Sequence, residues 1–176
     1  MEKIDFEKVY YHTLKTNPYD DMSEDEIYKL ESILESKFIL ARKYLKDKNI
    51  ILCSFNFNGS DYISLSRKKS KYKSGLSTAY NTYVLNGISI ILSEDIKKSL
   101  KFRKYAPIVM DGEVQVKDKI PTSYICGLSY PYTNKEEEKE QLREITYILK
   151  RHNLKLPIYN PLSNNEEIYP KKFLKG

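Results

Sequence analysis

The segment from 110 to 128 constrains the fold of this chain more than any other. Its sequence, MDGEVQVKDKIPTSYICGL, is typical of two strands joined by a turn that Pro121 marks. Because side chains alternate along a strand, the valines of the EVQVK run at 113–117 should lie on one face and its three polar residues on the other. Glu113 is then either part of a solvated strand face or a carboxylate at the mouth of a cleft.

Strand and helix patterns fill most of the remaining sequence. Ser23 with Glu26, and Thr133 with Glu136, form capping boxes, each followed by a helical pattern. Further strand patterns lie at 7–13, 49–55, 61–66 and 82–92, and the last of these is either one strand or two strands joined near Asn86-Gly87. Mostly consecutive strands with two capped helices predict an α+β domain.

One domain is expected over 1–176, in which the Pro-punctuated stretch 154–176 forms a tail that wraps the surface. The content of 40% hydrophobic and 31% charged residues is typical of a globular protein. Cys53 and Cys126 lack zinc-ligand spacing and predict no metal site. The sequence shows neither a signal peptide nor an apolar run of about 20 residues, so we expect a cytoplasmic location without membrane association, although delivery into another cell is possible.

The net charge of +6 allows attraction to phosphates. Much of it is concentrated in a basic loop, residues 67–73, whose sequence is RKKSKYK. Such a run is either a solvated loop or a segment that binds the phosphates of a nucleic acid or of a dinucleotide. No glycine-rich phosphate loop is present, which argues against Rossmann and P-loop folds.

Three polar groups stand at strand positions in a fixed order: His12, then Tyr62 with Ser64, then Glu113. The phrases that carry them are YHT at 11–13 and DYISLS at 61–66, followed by the EVQV run at 113–116, and a helical phrase, LESILESKFI, lies between the first two. Over residues 9–130 this order resembles the ADP-ribosyltransferase superfamily, in the His-Tyr-Glu branch that includes diphtheria-type toxins and poly(ADP-ribose) polymerases. The resemblance is to a bacterial or phage-type mono-ADP-ribosyltransferase.

The resemblance implies an α+β fold of split mixed or antiparallel sheets around a central NAD cleft, with flanking helices. It implies that Glu113 stabilises the positive charge on the ribose as the nicotinamide leaves. His12 and Thr13 would bind the adenosine ribose. Tyr62 would stack on nicotinamide, a role for which Tyr80 and Tyr83 are alternatives.

Two further residues receive supporting roles. Ser64 would join the hydrogen-bond network of the site, and Gln115 would line the cleft beside Glu113. Two departures from the family pattern are visible. Thr13 follows His12 directly where a small Gly is usual, and Asp111 stands where arginine-modifying members often carry Glu, so the sequence neither supports nor excludes arginine as the acceptor.

The implied function is transfer of ADP-ribose from NAD, used as a substrate, to a protein or nucleic acid. A toxin or effector of this kind would have an antitoxin or immunity partner. Two enzymatic alternatives share the fold, an NAD glycohydrolase and an enzyme like an RNA 2'-phosphotransferase. An alternative of another class is a non-catalytic basic domain that binds nucleic acid through the basic loop.

Overall fold

The structure, a computed structural model, describes residues 3–15, 23–45, 61–104 and 109–169. The strand expected at 49–55 lies outside these ranges. In chain order the elements are β1 (Tyr10–Thr13), α1 (Ser23–Ser36), β2 (Phe38–Leu40), α2 (Arg42–Leu45), β3 (Tyr62–Ser66), β4 (Ser89–Leu92), α3 (Ile96–Ser99), β5 (Glu113–Lys117), β6 (Lys119–Pro121), β7 (Ile125–Ser129), α4 (Glu136–Arg151), β8 (Ile158–Asn160) and β9 (Glu166–Tyr169).

Seven strands form one sheet in the order β5-β3-β1-β4-β7-β8-β9, and β2 pairs with β6 in a separate two-stranded sheet. Neighbouring strands of the large sheet are antiparallel except β7 and β8, which are parallel. The α+β class with a large mixed sheet and a small second sheet is therefore as predicted.

The large sheet opens between β1 and β3. β1 pairs with β4 along its whole length, from Tyr10 to Thr13. In the described part of the chain it pairs with β3 at one position, Tyr11 opposite Ser66. β3 in turn pairs with β5 along five residues. The two halves of the sheet therefore diverge beyond Tyr11, beside His12.

The core divides into two clusters because side chains alternate between the faces of the sheet. The larger cluster includes Tyr10 and packs under α1 and α4, whose buried apolar positions include Leu30 and Leu142. The smaller cluster covers the other face and consists of Val9, Tyr11, Tyr80, Val84 and Ile91.

The prediction of a strand over 82–92 is wrong in its first half. Tyr80–Val84 forms a π-helical turn, in which Leu85 N donates to Tyr80 O at 3.1 Å, and β4 follows. Tyr80 and Val84 are buried at helical spacing, and the side-chain amide of Asn86 donates to two carbonyls of the turn. Tertiary burial of these residues outweighs the strand propensity of the run.

The second helix is capped differently from the prediction. Glu138, not Glu136, reaches back, and it accepts hydrogen bonds from Thr133 Oγ1, Thr133 N and Lys135 N. The predicted capping box of Thr133 and Glu136 is therefore wrong: Lys135 is the N-cap residue, and Thr133 only donates to Glu138. At the first helix, α1 begins at Ser23, whose side chain lies outside the described part of the structure.

Residues 154–169 do not form the predicted wrapping tail. They add β8 and β9 to the large sheet, with Ile158 and Ile168 buried in the core. Prolines frame short strands here because they stand outside the paired positions, where no backbone N–H is needed. Among the described helices, none combines the length and apolar character that crossing a bilayer requires.

Candidate active site

The pairing of β3 with β5 collects the predicted polar residues on one face. Ser66 lies opposite Glu113, Ser64 opposite Gln115, and Tyr62 opposite Lys117. Directly opposed residues of an antiparallel pair project to the same side. The intervening Ile63, Leu65 and Val116 are buried on the opposite side, as alternation predicts.

Glu113 is held by two neutral donors. Ser64 Oγ donates to Glu113 Oε2 at 3.3 Å, and Gln115 Nε2 donates to the same oxygen at 3.0 Å. Two donors on the same oxygen fix the direction in which a carboxylate points. The carboxylate is therefore oriented through Oε2, and neither of these two donors engages Oε1.

Arg103 orients Gln115, and sequence reasoning missed it. Its guanidinium donates to Gln115 Oε1 at 3.1 Å, so the amide nitrogen of Gln115 points to Glu113. Its backbone N also donates to Gln115 O, and Phe102 forms a bridge with Val116, so the segment 101–103 runs along the edge of β5. The alternation of basic and apolar residues in LKFRK was the available signal.

His12 reaches β3 where the sheet diverges. Its Nδ1 lies 3.2 Å from Ser64 O, which can only accept, so Nδ1 carries the proton. Removal of the ring from water lowers the pKa of His12 to about 4, although the bond to Ser64 acts in the opposite direction. His12 is therefore neutral at pH 7, with a lone pair on Nε2.

The remaining predicted residues lie at different depths. Thr13 Oγ1 shares a 2.8 Å hydrogen bond with Ser89 Oγ of the neighbouring β4. The Arg103 guanidinium lies 4.7 Å from the centre of the half-buried Tyr62 ring and covers one of its faces. Tyr80 is 1% exposed and packs edge-on against Tyr11 at 5.3 Å.

The structure thus links four of the predicted residues in one hydrogen-bonded and stacked row, which we call the Glu113 row: Ser64, Glu113, Gln115 and, through Arg103, Tyr62; His12 joins it through the backbone oxygen of Ser64. It places Thr13 beside the row and Tyr80 in the core. A contact between Tyr80 and a bound dinucleotide would require this buried ring to be uncovered. The catalytic and binding roles of all seven residues stay predictions.

Gly112 and Asp111, the two residues that precede Glu113, shape its surroundings. Gly112 has φ +86°, and a Cβ at this position would lie 2.1 Å from Ser77 Oγ, so the chain needs glycine here. Asp111 accepts hydrogen bonds from Ser70 Oγ at 2.7 Å and from Lys71 N at 3.1 Å. These bonds, the one from Ser70 first, lower the pKa of Asp111. Asp111 thus holds the basic loop in place through Ser70 and Lys71.

Comparison with known proteins gives matches in structure but not in sequence. No family model matches the chain, and no curated protein does so significantly. Three solved structures of Thermus sp. 2.9 DarT are similar to it. The complex with NAD+ has a TM-score of 0.52 at 11% identity over 89% of this chain and 97% of DarT.

The other two complexes agree. The DarT complex with ADP-ribosylated ssDNA has a TM-score of 0.51 at 11% identity over 92% of this chain and 98% of that one. The complex with carba-NAD+ has a TM-score of 0.50 at 13% identity over 86% and 94%. At such identities the likeness establishes the fold. The fold expected of an ADP-ribosyltransferase is therefore confirmed: this chain folds like DarT.

Proposed function

We propose that this protein is an NAD-dependent mono-ADP-ribosyltransferase that transfers ADP-ribose to a macromolecule. The observation that carries the proposal is the orientation of Glu113 by Ser64 and Gln115, at the edge of a sheet that opens beside His12 in a DarT-like fold. The solved DarT complexes with NAD+ and with ADP-ribosylated ssDNA support the choice of reaction.

Breaking the bond between nicotinamide and ribose generates an oxocarbenium-like sugar, as in glycoside cleavage. A carboxylate fixed beside the ribose stabilises this positive charge without having to reorganise during the reaction. Glu113 supplies that carboxylate, and its Oε1 is placed to accept a proton from a ribose hydroxyl or from the incoming nucleophile. Ser64 and Gln115 hold it in one direction.

The other residues bind NAD. Neutral His12 offers Nε2 as an acceptor for a hydroxyl of the adenosine ribose, and Thr13 contributes its hydroxyl. Tyr62 offers the ring face that Arg103 leaves uncovered to the cationic nicotinamide. In this arrangement Arg103 and nicotinamide would lie on opposite sides of one aromatic ring.

We infer that the acceptor is a nucleic acid, because the net charge of +6 favours a polyanion and one DarT complex contains ADP-ribosylated ssDNA. We infer that attachment of a group as large as ADP-ribose to a nucleic acid would harm the cell in which it takes place. The protein would then act as a toxin or effector in a cytoplasm and require an antitoxin or immunity partner in its own host.

The test is incubation of the purified protein with NAD labelled in the adenylate part, together with single-stranded DNA, RNA or a bacterial lysate. The expected result is label on a macromolecule, most strongly on nucleic acid, with release of nicotinamide. Label on protein alone would correct the acceptor but keep the reaction.

Other outcomes would replace the proposal. Nicotinamide release without label on any macromolecule would show an NAD glycohydrolase. Loss of a 2'-phosphate from RNA with NAD present would show an enzyme like an RNA 2'-phosphotransferase. Nucleic-acid binding without any consumption of NAD would show the non-catalytic basic domain.

A further inference from the structure

A cavity of about 900 Å³ lies on the side of β5 opposite to the Glu113 row. Its apolar lining comes from Tyr10, Leu100, Phe102 and Val114, which pack against the larger core cluster. Val114 alternates with Glu113 along β5, so the cavity and the carboxylate face opposite sides of the sheet. The chemistry proposed for Glu113 leaves this cavity without a role.

The rim of the cavity is strongly basic. Six cations line it, Arg67, Lys69, Lys71, Lys97, Lys101 and Lys104, against a single carboxylate, Glu7, which pairs with Lys68 at 3.5 Å. The five lysines of the rim take part in none of the ion pairs found within the described ranges. Like charges around one cavity repel each other unless anions lie between them, so the rim is suited to several phosphates.

The basic loop presents its cations in a defined conformation. Asp111 binds Ser70 Oγ and Lys71 N, and Ser70 Oγ accepts from the backbone N of Tyr72 and Lys73 at 3.1 Å each. A bridge between Lys69 and Leu76 closes the loop. The side chains of Lys69 and Lys71 are therefore carried by a hydrogen-bonded turn beside Gly112.

An aromatic ring stands at the tip of this loop. Tyr72 is 85% exposed and lies between Lys71 and Lys73. An exposed ring flanked by cations can stack on an unpaired base while the cations bind the adjoining phosphates. Phe102, half-buried in the cavity wall, offers a second apolar contact.

We propose that the cavity and the basic loop form a docking site for single-stranded nucleic acid. The phosphates lie on the lysine rim, one base stacks on Tyr72, and another enters the cavity against Phe102. Six cations on three chain segments match the phosphates of a strand better than the two phosphates of one dinucleotide. Duplex is bound less well because its bases are already stacked.

The test is fluorescence anisotropy with a labelled single-stranded DNA of about 20 nucleotides, long enough to cover more than one site of the size seen in single-strand-binding folds. The pocket variant combines Lys69→Gln, Lys71→Gln and Lys101→Gln. The control combines Arg143→Gln, Lys150→Gln and Lys155→Gln. These three residues are exposed on or just after α4, so the control removes the same charge at a site away from the cavity.

The pocket variant should bind at least about tenfold more weakly than the control at 0.1 M salt, and its slope of log Kd against log salt should fall by about 2, because three phosphate contacts are lost. Tyr72→Ala should weaken binding about fivefold or more without changing that slope, because a stacking contact carries no charge. A duplex of the same length should bind more weakly than the single strand.

Glu113→Gln should keep full affinity for the strand, which separates this proposal from the proposed catalysis: one can fail while the other holds. Equal binding by the pocket and control variants would overturn the docking site. So would equal affinity for duplex, or complete displacement of the strand by millimolar NAD, which would make the cavity a dinucleotide site.

Discussion

Two pairs of neighbouring strands in the large sheet differ in what covers them. All four residues of β4 are buried, and its neighbour β7 is buried from Gly127 to Ser129, because a core cluster lies on each face. The pair β3–β5 is buried on one face, while Ser64 and Glu113 remain accessible on the other. The centre of the sheet therefore contributes mainly to stability, whereas its edge presents polar side chains on an accessible face.

This difference teaches where a substitution should act. Apolar burial contributes stability roughly in proportion to the area removed from water, and Ile90, Ile91 and Leu92 of β4 carry no polar side chain. On β5 a side chain can be changed on the exposed face with little cost to folding. β5 contributes to stability through the buried face that holds Val116, and the backbone at Gly112, directly before the strand, contributes as well.

Gly112→Ala should have the largest effect on stability, because it strains the backbone directly before the edge strand β5. The new Cβ would meet Ser77 Oγ at 2.1 Å at a backbone angle of φ +86°, so strain and overlap together should cost about 2–6 kcal/mol of unfolding free energy. Gly75→Ala is the matched control, since φ is +103° there but nothing lies within 4 Å of the added Cβ. Equal losses in urea unfolding would contradict the steric account.

Ile91→Ala should have the next largest effect on stability, because it removes a buried side chain from the central strand β4. Ile91 is 0% exposed in the cluster with Tyr11 and Tyr80, and its truncation should cost about 2–5 kcal/mol. Leu162→Ala, at a side chain 48% exposed, should change the unfolding free energy by no more than about 0.5 kcal/mol. Calorimetric melting of the two variants checks both values, and a small effect of Ile91→Ala would remove the contrast between centre and edge.

Gln115→Ala should act on catalysis and not on folding. Losing the donor to Glu113 Oε2 should lower kcat for nicotinamide release by about 10- to 150-fold, with KM for NAD little changed, since a bond to a charged group is worth about 1.5–3 kcal/mol. Lys117→Gln, exposed two residues further along the same face, is the control. A rise in KM at constant kcat would mean that Gln115 binds NAD and does not position Glu113.

The last expected effect is a dependence of stability on pH. The pKa of His12 lies at about 4 in the folded state, below its ordinary value of 6.5, so the unfolded chain binds the proton first. Stability should be fully present above pH 6.5 and fall as the pH drops towards 4. His12→Gln should show a shallower fall between pH 7.5 and 5 in urea unfolding, and an unchanged slope would mean that His12 is not withdrawn from water.

The sequence predicted those parts of the fold that follow from local patterns. Alternation placed Val116 in the core and Glu113 on the open face, and a capping pattern located the start of α4 near Thr133. It failed at the beginning of the strand predicted over 82–92, because Tyr80–Val84 forms a π-helical turn in which Tyr80 packs on Tyr11. Only tertiary structure decides such a run.

The candidate site shows the same division. Glu113, Ser64 and Gln115 could be placed together because strand alternation and the family resemblance agreed. Arg103 could not, because the alternation in LKFRK does not indicate which strand this segment pairs with, and the link of Arg103 to Gln115 depends on the edge pairing between Phe102 and Val116. The anchoring of the basic loop by Asp111 likewise joins residues 41 positions apart.

The most direct test of the central claim is the initial rate of nicotinamide release by Glu113→Gln, measured with saturating NAD and acceptor beside wild type and Glu137→Gln, an exposed residue of α4. The Glu113 variant should lose activity by about 100-fold or more, because it keeps the shape but removes the charge that meets the oxocarbenium ion, while its melting temperature stays unchanged. A rate for Glu113→Gln equal to that of Glu137→Gln would contradict the account.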